Sequence, residues 1–156
     1  MKPLLSIFLL LLPLQGAAQE LVSVIDGDTL EVSGRRVRLF GIDAPEIKQK
    51  CKDIDDNEYN CGEWSKKQLM DILKIKDNNE TLLKIYCTYI SKDKYARWLS
   101  VCFIGNINIG REMVARGAAL AYKQYSLTYE ADEDEAKSSL KGLWVGEFQK
   151  PWDFRH

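Results

Sequence analysis

Residues 24–46 constrain the fold more than any other part of the chain. Their sequence, VIDGDTLEVSGRRVRLFGIDAPE, has the composition of two short strands interrupted by turn residues. Asp26-Gly27 favours a turn or bulge, and Ser33-Gly34 marks the next turn. Beyond that turn, apolar residues alternate with Arg36 and Arg38, which places both arginines on one face of a sheet. The segment therefore predicts a β-hairpin centred near Gly34.

This hairpin brings three carboxylates towards one arginine. Asp28 and Asp43 stand at strand ends on opposite sides of the turn, and Glu46 follows in the next loop, with Arg38 between them. Carboxylates without histidine or cysteine suit a hard cation such as Ca²⁺ or Mg²⁺, and a neighbouring arginine suits a phosphate. A spare carboxylate, Glu46, can orient or deprotonate water. The combination predicts phosphodiester hydrolysis, whereas each residue alone is more often turn chemistry or an ion-pair partner.

A second polar segment, DKYAR, spans residues 93–97. By itself it is a polar turn with an arginine whose stem lies along the surface. Beside the first cluster, Arg97 becomes a second phosphate clamp and Tyr95 a stacking or hydroxyl contact. Two arginines on opposite sides of one phosphate would stabilise a pentacoordinate phosphorane.

Cys87 and Cys102 lie in two strand-like runs, LLKIYCTYI and RWLSVCF, joined by a short polar link. If Ser91 pairs with Trp98 across this hairpin, the same register places Cys87 opposite Cys102. Directly opposed residues have Cα atoms about 4.5–5.5 Å apart, within the range of a disulfide. The pattern therefore predicts a cross-strand disulfide, with reduced structural thiols as the alternative.

The other two cysteines, Cys51 and Cys61, would then close a small loop with a disulfide worth about 2–3 kcal/mol in the chain-entropy model. No close C-x-x-C pair is present, so a zinc site is a weak interpretation. Two disulfides predict an oxidising compartment.

Residues 1–18 predict a signal peptide. Lys2 provides the positive charge, Leu4 to Leu14 form an apolar run, and Gly16-Ala17-Ala18 offers small residues for cleavage. A buried N-terminal helix or a membrane anchor is the alternative. We expect export, to the periplasm or the medium, and one mature domain at residues 19–156.

The remainder of that domain has a mixed pattern. Helical periodicity covers residues 62–75, Asn108 can cap a short helix stopped by Gly117, and an amphipathic helix runs over residues 127–141. Five short strands with three interspersed helices predict an α+β fold built on a small closed barrel of the OB type. The net charge is −1, which argues against a tight, nonspecific duplex binder.

Four segments resemble the staphylococcal nuclease-like (thermonuclease) family. They are residues 24–46, DKYAR, REMVARGAALAY and KGLW, and the resemblance runs in order over residues 21–144. It implies a five-stranded OB-fold barrel with three helices and a Ca²⁺-dependent phosphodiesterase that acts on DNA and RNA. It also implies cleavage of the 5′ P–O bond, which leaves 3′-phosphate ends.

The resemblance also assigns roles by position. Its metal ligands are Asp28, Asp43 and the backbone carbonyl of Ala44. Its catalytic residues are Arg38, Glu46 and Arg97. Its substrate-binding residues are Lys94, Tyr95 and Tyr122. The chain departs from the family's best-known member at Ala44, where that member has threonine, and in residues 47–60, an acidic loop in place of a lysine-rich one.

The sequence thus predicts an exported, Ca²⁺-dependent, sugar-nonspecific nuclease. Single-stranded DNA and RNA are the expected substrates, because stacking tyrosines need exposed bases. We expect a monomer without membrane association after signal cleavage. One rival is an OB-fold binding module, but such degenerate domains typically lose the arginines or carboxylates. Another is a disulfide-stabilised domain that binds protein, which would leave the carboxylates unexplained. His156 is the only histidine, so a histidine-based nuclease is excluded.

Overall fold

The computed structural model describes residues 18–156, so the predicted signal peptide lies outside the described residues apart from Ala18. The strands are β1 (Glu20–Val24), β2 (Thr29–Val32), β3 (Arg35–Leu39), β4 (Ile42–Asp43), β5 (Lys50–Lys52), β6 (Glu58–Asn60), β7 (Thr81–Leu83), β8 (Ile85–Lys92), β9 (Trp98–Ile104), β10 (Ile107–Asn108) and β11 (Leu120–Ala121). The helices are α1 (Cys61–Leu73), α2 (Ile109–Ala115), α3 (Glu130–Ser138), a 3₁₀ turn (Gly142–Val145) and α4 (Pro151–Phe154). Within residues 18–156, no helix has the length and apolar character needed to cross a bilayer.

The main sheet closes into a barrel of five strands. β1, β2 and β3 pair antiparallel in succession, β3 pairs parallel with β9, and β9 pairs antiparallel with β8. β7 pairs with β1, and only Lys84 separates β7 from β8. The two therefore act as one bent strand that joins both edges of the sheet. This confirms the predicted α+β fold with an OB-type barrel, to which the short α4 adds a fourth helix.

The β2–β3 hairpin forms where the sequence predicted it. Ser33 and Gly34 both have positive φ, 47° and 77°, and Val32 pairs with Arg35 across them. Such two-residue turns match the right-handed twist of the flanking strands. The hairpin brings Thr29, at the start of β2, opposite Arg38 in β3. The start of β2 and the end of β3 therefore lie side by side, at the end of the hairpin away from the turn.

The apolar residues of the barrel pack against α1 and α2 in one core. Its fully buried members include Val22 and Leu39 from the strands and Leu69 and Met113 from the helices. α2 begins as predicted, because the Asn108 side chain accepts a hydrogen bond from the Arg111 N–H at 3.0 Å. The two helices and the barrel therefore share one hydrophobic core.

α3 is shorter than the predicted span of residues 127–141. Before it, the Ser126 hydroxyl bonds the side chain and N–H of Thr128, which holds the chain in a turn. After it, Leu140 and Gly142 adopt positive φ, 49° and 56°, which ends the helical conformation. Local turn chemistry therefore removes about one turn from the start of the predicted helix.

Both predicted disulfides are present. Cys87 and Cys102 are directly opposed in β8 and β9, with Cα atoms 4.1 Å apart. Cys51 and Cys61 join β5 to the start of α1, with Cα atoms 5.6 Å apart.

The register expected beyond the Cys87–Cys102 pair is wrong, since Ser91 pairs with Leu99 and not with Trp98. A β-bulge at Ile90 inserts one extra residue and shifts the pairing by one towards the hairpin tip.

Candidate active site

Two buried carboxylates converge on the guanidinium of Arg38. Asp28 stands immediately before β2 and Asp43 ends β4; their side chains are 4 % and 0 % exposed. Arg38, in β3, donates from Nη1 to Asp28 and from Nη2 to the Oδ1 atom of Asp43 at 2.6 Å. Burial disfavours the charged form of Arg38, but the charges of both aspartates outweigh it and raise the pKa of Arg38 above its usual value. The three predicted residues therefore form one ionic unit.

Ala44 belongs to the same unit through its backbone. Its N–H donates to the Oδ2 atom of Asp28 at 2.9 Å, while the hydroxyl of Thr29 donates to Oδ1 at 3.0 Å. These bonds fix the orientation of the Asp28 carboxylate and hold the segment after β4 against the segment before β2. The predicted neighbours Asp28, Asp43 and Ala44 are brought together although they come from different parts of the hairpin.

Glu46 joins this unit through an arginine that the sequence did not suggest. Arg155 donates from Nη1 to the Oε1 atom of Glu46 at 2.8 Å and to the Oδ1 atom of Asp43 at 3.0 Å. It also donates from Nη2 to the Oδ2 atom of Asp43 at 2.9 Å. Burial raises the pKa of Asp43, although the hydrogen bonds from Arg155 act in the opposite direction. We call Asp28, Arg38, Asp43, Glu46 and Arg155 the acidic cluster.

A chain segment that we call the C-terminal strap, residues 147–156, positions Arg155. Lys52 in β5 and Glu147 exchange two backbone hydrogen bonds, of 2.8 and 3.2 Å. Gln49, which is fully buried, donates from its side chain to the carbonyl of Gln149 at 2.7 Å and accepts from the N–H of Glu46 at 3.2 Å. Gln49 therefore links the loop that carries Glu46 to the strap that carries Arg155.

The loop of Glu46 is also fixed by close packing against α1. A Cβ atom at Gly62 would lie 1.8 Å from the carbonyl oxygen of Glu46, so only glycine fits there. The Cys51–Cys61 disulfide attaches the β5–β6 hairpin to the same end of α1. The disulfide, the glycine and the buried Gln49 together hold Glu46 close to Asp43.

Asp26 is a further carboxylate beside the cluster, and the sequence indicated only a turn there. Its Oδ1 atom accepts a hydrogen bond from the N–H of Asp28 at 3.0 Å. Burial raises the pKa of Asp26 to about 6, and the neighbouring charge of Asp28 adds to the effect. The D-G-D spacing was the available indication, because two aspartates around one tight turn are forced close together.

The donor set of the cluster fits a hard divalent cation. Among residues 18–156, no three side chains of histidine, cysteine, aspartate or glutamate converge as a preformed metal cage. Asp28 and Asp43 nevertheless share one cation, Arg38, and every candidate ligand atom is oxygen. A second cationic group, the guanidinium of Arg155, already lies on Asp43 and Glu46. Two carboxylates and the backbone carbonyl of Ala44 are oxygen donors, which suit a hard divalent cation better than a softer metal.

Residues 93–97, which we call the tip turn, join β8 to β9 and are stabilised by their own aspartate. Asp93 accepts at Oδ1 from the N–H groups of Tyr95 and Arg97, at 2.9 and 3.0 Å, and at Oδ2 from Nε of Arg97 at 2.7 Å. Burial raises the pKa of Asp93, but the hydrogen bonds from Arg97 outweigh it, so the pKa lies below the usual value. The Nη groups of Arg97 have no hydrogen-bond acceptor among the described residues.

Among residues 18–156, Arg97 forms its ion pair with Asp93 and none with the carboxylates around Arg38. The sheet register nevertheless relates the two arginines, because Arg38 pairs with Leu99 in β9 and Arg97 precedes that residue by two. The tip turn, which ends at Arg97, therefore lies next to the part of β3 that carries Arg38.

The other predicted substrate residues lie on the surface at two places. Lys94 and Tyr95 are exposed in the tip turn, and the ammonium of Lys94 lies 5.1 Å from the Tyr95 ring centroid. Tyr122 follows β11 and donates its N–H to the carbonyl of Gly41 at 2.9 Å, next to β4. Its ring stacks on Trp152 of the strap, with centroids 5.4 Å apart and planes 7° apart. One face of Tyr122 is therefore already covered by the protein.

A comparison with known protein families gives a match over most of the chain. The family profile described as "Staphylococcal nuclease homologue" matches residues 36–146, a range that contains Arg38, Asp43, Glu46 and Arg97. Asp28 and Arg155 lie outside the matched range.

Three related proteins show how widely the similarity extends. An uncharacterized endonuclease of Escherichia coli O157:H7 is 34 % identical over 143 residues, which cover 86 % of this chain and 82 % of that one. The succinoglycan biosynthesis protein ExoI of Rhizobium meliloti (strain 1021) is 32 % identical over 134 residues, 83 % of this chain and 67 % of that one. The probable staphylococcal-like nuclease CAN3 of Oryza sativa subsp. japonica is 31 % identical over 149 residues, 94 % of this chain and 35 % of that one.

Proposed function

The chain belongs to the staphylococcal nuclease homologue family and is a phosphodiester-hydrolysing endonuclease, and on that premise we propose that it is an exported, Ca²⁺-dependent enzyme without sugar specificity. Its substrates are DNA and RNA, preferably single-stranded, and its products carry 3′-phosphate ends. The observation that carries the proposal is the single guanidinium of Arg38 bound to two buried carboxylates, Asp28 and Asp43. Burying acids is costly unless they hold cations, and Arg38 and Arg155 together leave one of the three negative charges of Asp28, Asp43 and Glu46 unbalanced.

In this proposal the metal ligands are Asp28, Asp43 and the backbone carbonyl of Ala44. When bound, Ca²⁺ would offset the charge of the phosphate oxygens. Asp28 is oriented for this role by hydrogen bonds from Thr29 and Ala44. Asp43 is held by Arg38 on one oxygen and by Arg155 on both. These bonds fix the orientation of both carboxylates in the metal-free protein.

The hydrolytic step uses Glu46 as the base. Glu46 takes a proton from a water molecule whose oxygen attacks the phosphorus, and the bond from phosphorus to the 5′ oxygen breaks. The leaving oxygen takes a proton from solvent, so the products are a 5′ hydroxyl and a 3′ phosphate. Gln49 and Gly62 position Glu46 for this step through its backbone.

The arginines stabilise the charge that develops on the phosphate. A guanidinium has five N–H donors, and Arg38 uses two of them on the aspartates, so three remain for phosphate oxygens. Arg97 uses only Nε within the tip turn, which leaves both Nη groups for bidentate binding of the phosphate. Arg38 pairs with Leu99, two residues after Arg97, so the tip turn lies beside β3, and this placement supports the action of both arginines on one phosphate from two sides.

Single-stranded substrate is favoured by the exposed groups around the site. Tyr95 is 68 % exposed and can stack on an unpaired base, and Lys94 beside it can contact the next phosphate. Tyr122 presents its remaining surface near β4. Residues 47–60, which contain the β5–β6 hairpin, carry four acidic and three basic side chains, so they add little attraction for a polyanion and we expect moderate substrate affinity.

Two features support export of a monomer. Two disulfides in one small domain are characteristic of an oxidising compartment, which agrees with the signal peptide predicted at residues 1–18. The acidic cluster and the tip turn are both supplied by one chain, so the proposed site needs no second copy. The location is the periplasm or the medium.

The test is a substrate panel with analysis of the product ends. Oxidised protein is incubated with matched single-stranded DNA, RNA and duplex DNA in Ca²⁺, in Mg²⁺ and in EGTA, and the product ends are probed with a 3′-phosphatase. We expect Ca²⁺-dependent cleavage of DNA and RNA strands, slower cleavage of duplex, and phosphatase-sensitive 3′ ends. Binding of these strands without cleavage in any metal would instead identify a nucleic-acid-binding module.

A further inference from the structure

Arg155 bonds two carboxylates of the acidic cluster, Asp43 and Glu46, to which the proposed function assigns metal binding and catalysis. Its two Nη atoms bond both oxygens of Asp43 and one oxygen of Glu46, at 2.8–3.0 Å. These are a proposed metal ligand and the proposed base. Asp43 is fully buried, and Arg38 also bonds its Oδ1 atom. Both oxygens of Asp43 are therefore occupied by guanidinium groups.

The charges in the cluster oppose binding of a divalent ion while both guanidiniums remain in place. Asp28, Asp43 and Glu46 carry three negative charges, and Arg38 and Arg155 carry two positive ones. A divalent ion at Asp43 would lie beside the guanidinium of Arg155, which already bonds both oxygens of that carboxylate. Repulsion between these two positive groups therefore favours exchange over addition.

The two arginines differ in how firmly they are held. Arg38 lies in the middle of the barrel sheet and its side chain is 14 % exposed. Arg155 follows the four-residue helix α4, and its side chain is 32 % exposed. A side chain beyond such a short helix can leave the cluster by local movement of the strap, whereas Arg38 cannot leave without disrupting the barrel.

We propose that Arg155 is an intramolecular competitor of the divalent ion, holding Asp43 and Glu46 in the metal-free enzyme and giving them up when the ion binds. Guanidinium remains protonated at all working pH values, so deprotonation of Arg155 cannot release the carboxylates. The strap stays attached through Glu147 and Gln149 while Arg155 moves. Arg155 thus sets the ion concentration at which the enzyme becomes active. The inference rests on the proposed Ca²⁺ requirement.

The test compares Ca²⁺ binding by variants that differ at this one position. Arg155→Ala should bind Ca²⁺ about ten-fold more tightly than the wild type, because the ion no longer displaces a charged hydrogen-bonding group. Arg155→Lys keeps the charge but loses the forked geometry, so its affinity should be intermediate. Arg116→Ala is the matched control, because it removes the same charge from a surface pair with Glu112. Its affinity should stay within about two-fold of the wild type.

Calorimetric titration of Ca²⁺ into chelator-treated protein measures these affinities, and thermal unfolding gives an independent measurement. In EGTA, Arg155→Ala should melt below the wild type, whereas in saturating Ca²⁺ the difference should vanish or reverse. Circular dichroism confirms that each variant is folded. A merely structural arginine would lower the melting temperature equally with and without Ca²⁺.

Equal or weaker Ca²⁺ binding by Arg155→Ala would overturn the competition, while the proposed metal requirement would stand. Absence of Ca²⁺ binding by the wild type and every variant would overturn the proposed cofactor, and the competition with it. The two failures are therefore distinguishable in one titration series.

Discussion

The acidic cluster and the tip turn are the two regions from which the proposed site is built, and they are stabilised in different ways. The cluster depends on contacts between distant parts of the chain, such as Arg155 with Asp43, which are 112 residues apart. In the tip turn, every side-chain hydrogen bond among the described residues joins Asp93 to a residue two or four positions later. The two aspartates of the cluster are buried, whereas the turn is largely exposed. Substitutions in the cluster should therefore affect folding and activity together, and those in the turn should affect activity alone.

Arg38→Ala should have the largest effect. It leaves Asp28 and Asp43 buried without their shared cation, and breaking a buried ion pair typically costs about 3–5 kcal/mol in the free energy of unfolding. The turnover number should fall about 10⁴-fold, since the variant also loses a phosphate donor. Urea unfolding and single-turnover cleavage measure the two effects. Arg36→Ala, at an exposed position in the same strand, is the control. A stable Arg38→Ala variant would show that the cluster does not depend on this ion pair.

Arg97→Ala tests the tip turn. The turnover number should fall about 10³-fold, as expected for loss of an arginine that stabilises the transition state. The free energy of unfolding should change by less than about 1 kcal/mol, because the pair with Asp93 lies within a surface turn. The same two assays apply. A large loss of stability with little loss of activity would assign Arg97 a structural role.

Removing either disulfide should have an intermediate effect on stability, and only one of the two removals should slow cleavage. Replacing Cys51 and Cys61 by serine should cost about 2–3 kcal/mol and also slow cleavage, because that bridge supports the loop of Glu46 and the strap. Replacing Cys87 and Cys102 should cost about 3 kcal/mol but leave the turnover number within a few-fold, since Asp93 holds the tip turn independently. Equal effects on turnover in both variants would contradict the difference drawn between the regions.

Lys94→Ala should have the smallest effect. Lys94 is exposed and contacts the ring of Tyr95, so it contributes affinity for the polyanion and no fixed geometry. The Michaelis constant for single-stranded DNA should rise about two- to five-fold, with an unchanged turnover number and a weaker dependence on salt. Steady-state kinetics at two salt concentrations measure this. If Lys94→Ala lowers turnover as much as Arg97→Ala, the assignment of the phosphate clamp is wrong.

Prediction from sequence succeeded where the relevant contacts are local or set by strand register. The turn residues Ser33-Gly34 predict the β2–β3 hairpin, and that hairpin places Asp28, Arg38 and Asp43 together. The Cys87–Cys102 pair follows from the antiparallel register of one hairpin. Even there, the bulge at Ile90 changed the pairing further out, because an inserted residue leaves no clear trace in the alternation of the strand.

Prediction failed where the contact depends on the packing of distant segments. Arg155 has no motif around it and reaches Asp43 only because the strap is held by Gln49 and by pairing with β5. Gln49 itself has the composition of an ordinary loop residue, yet it is fully buried. Asp26 was recognised only as a turn residue, because its burial depends on how the barrel and α1 close around it. Such contacts follow from tertiary structure, which local patterns do not determine.

The most direct test of the central claim is the rate of single-stranded DNA cleavage as the free Ca²⁺ concentration is varied, for the wild type and for Asp43→Asn. The account predicts saturable activation of the wild type, abolition by EGTA, and little or no activation of Asp43→Asn, with both proteins folded. Cleavage by the wild type that is equally fast in EGTA, or an Asp43→Asn variant activated like the wild type, would contradict a metal-dependent active site at the acidic cluster.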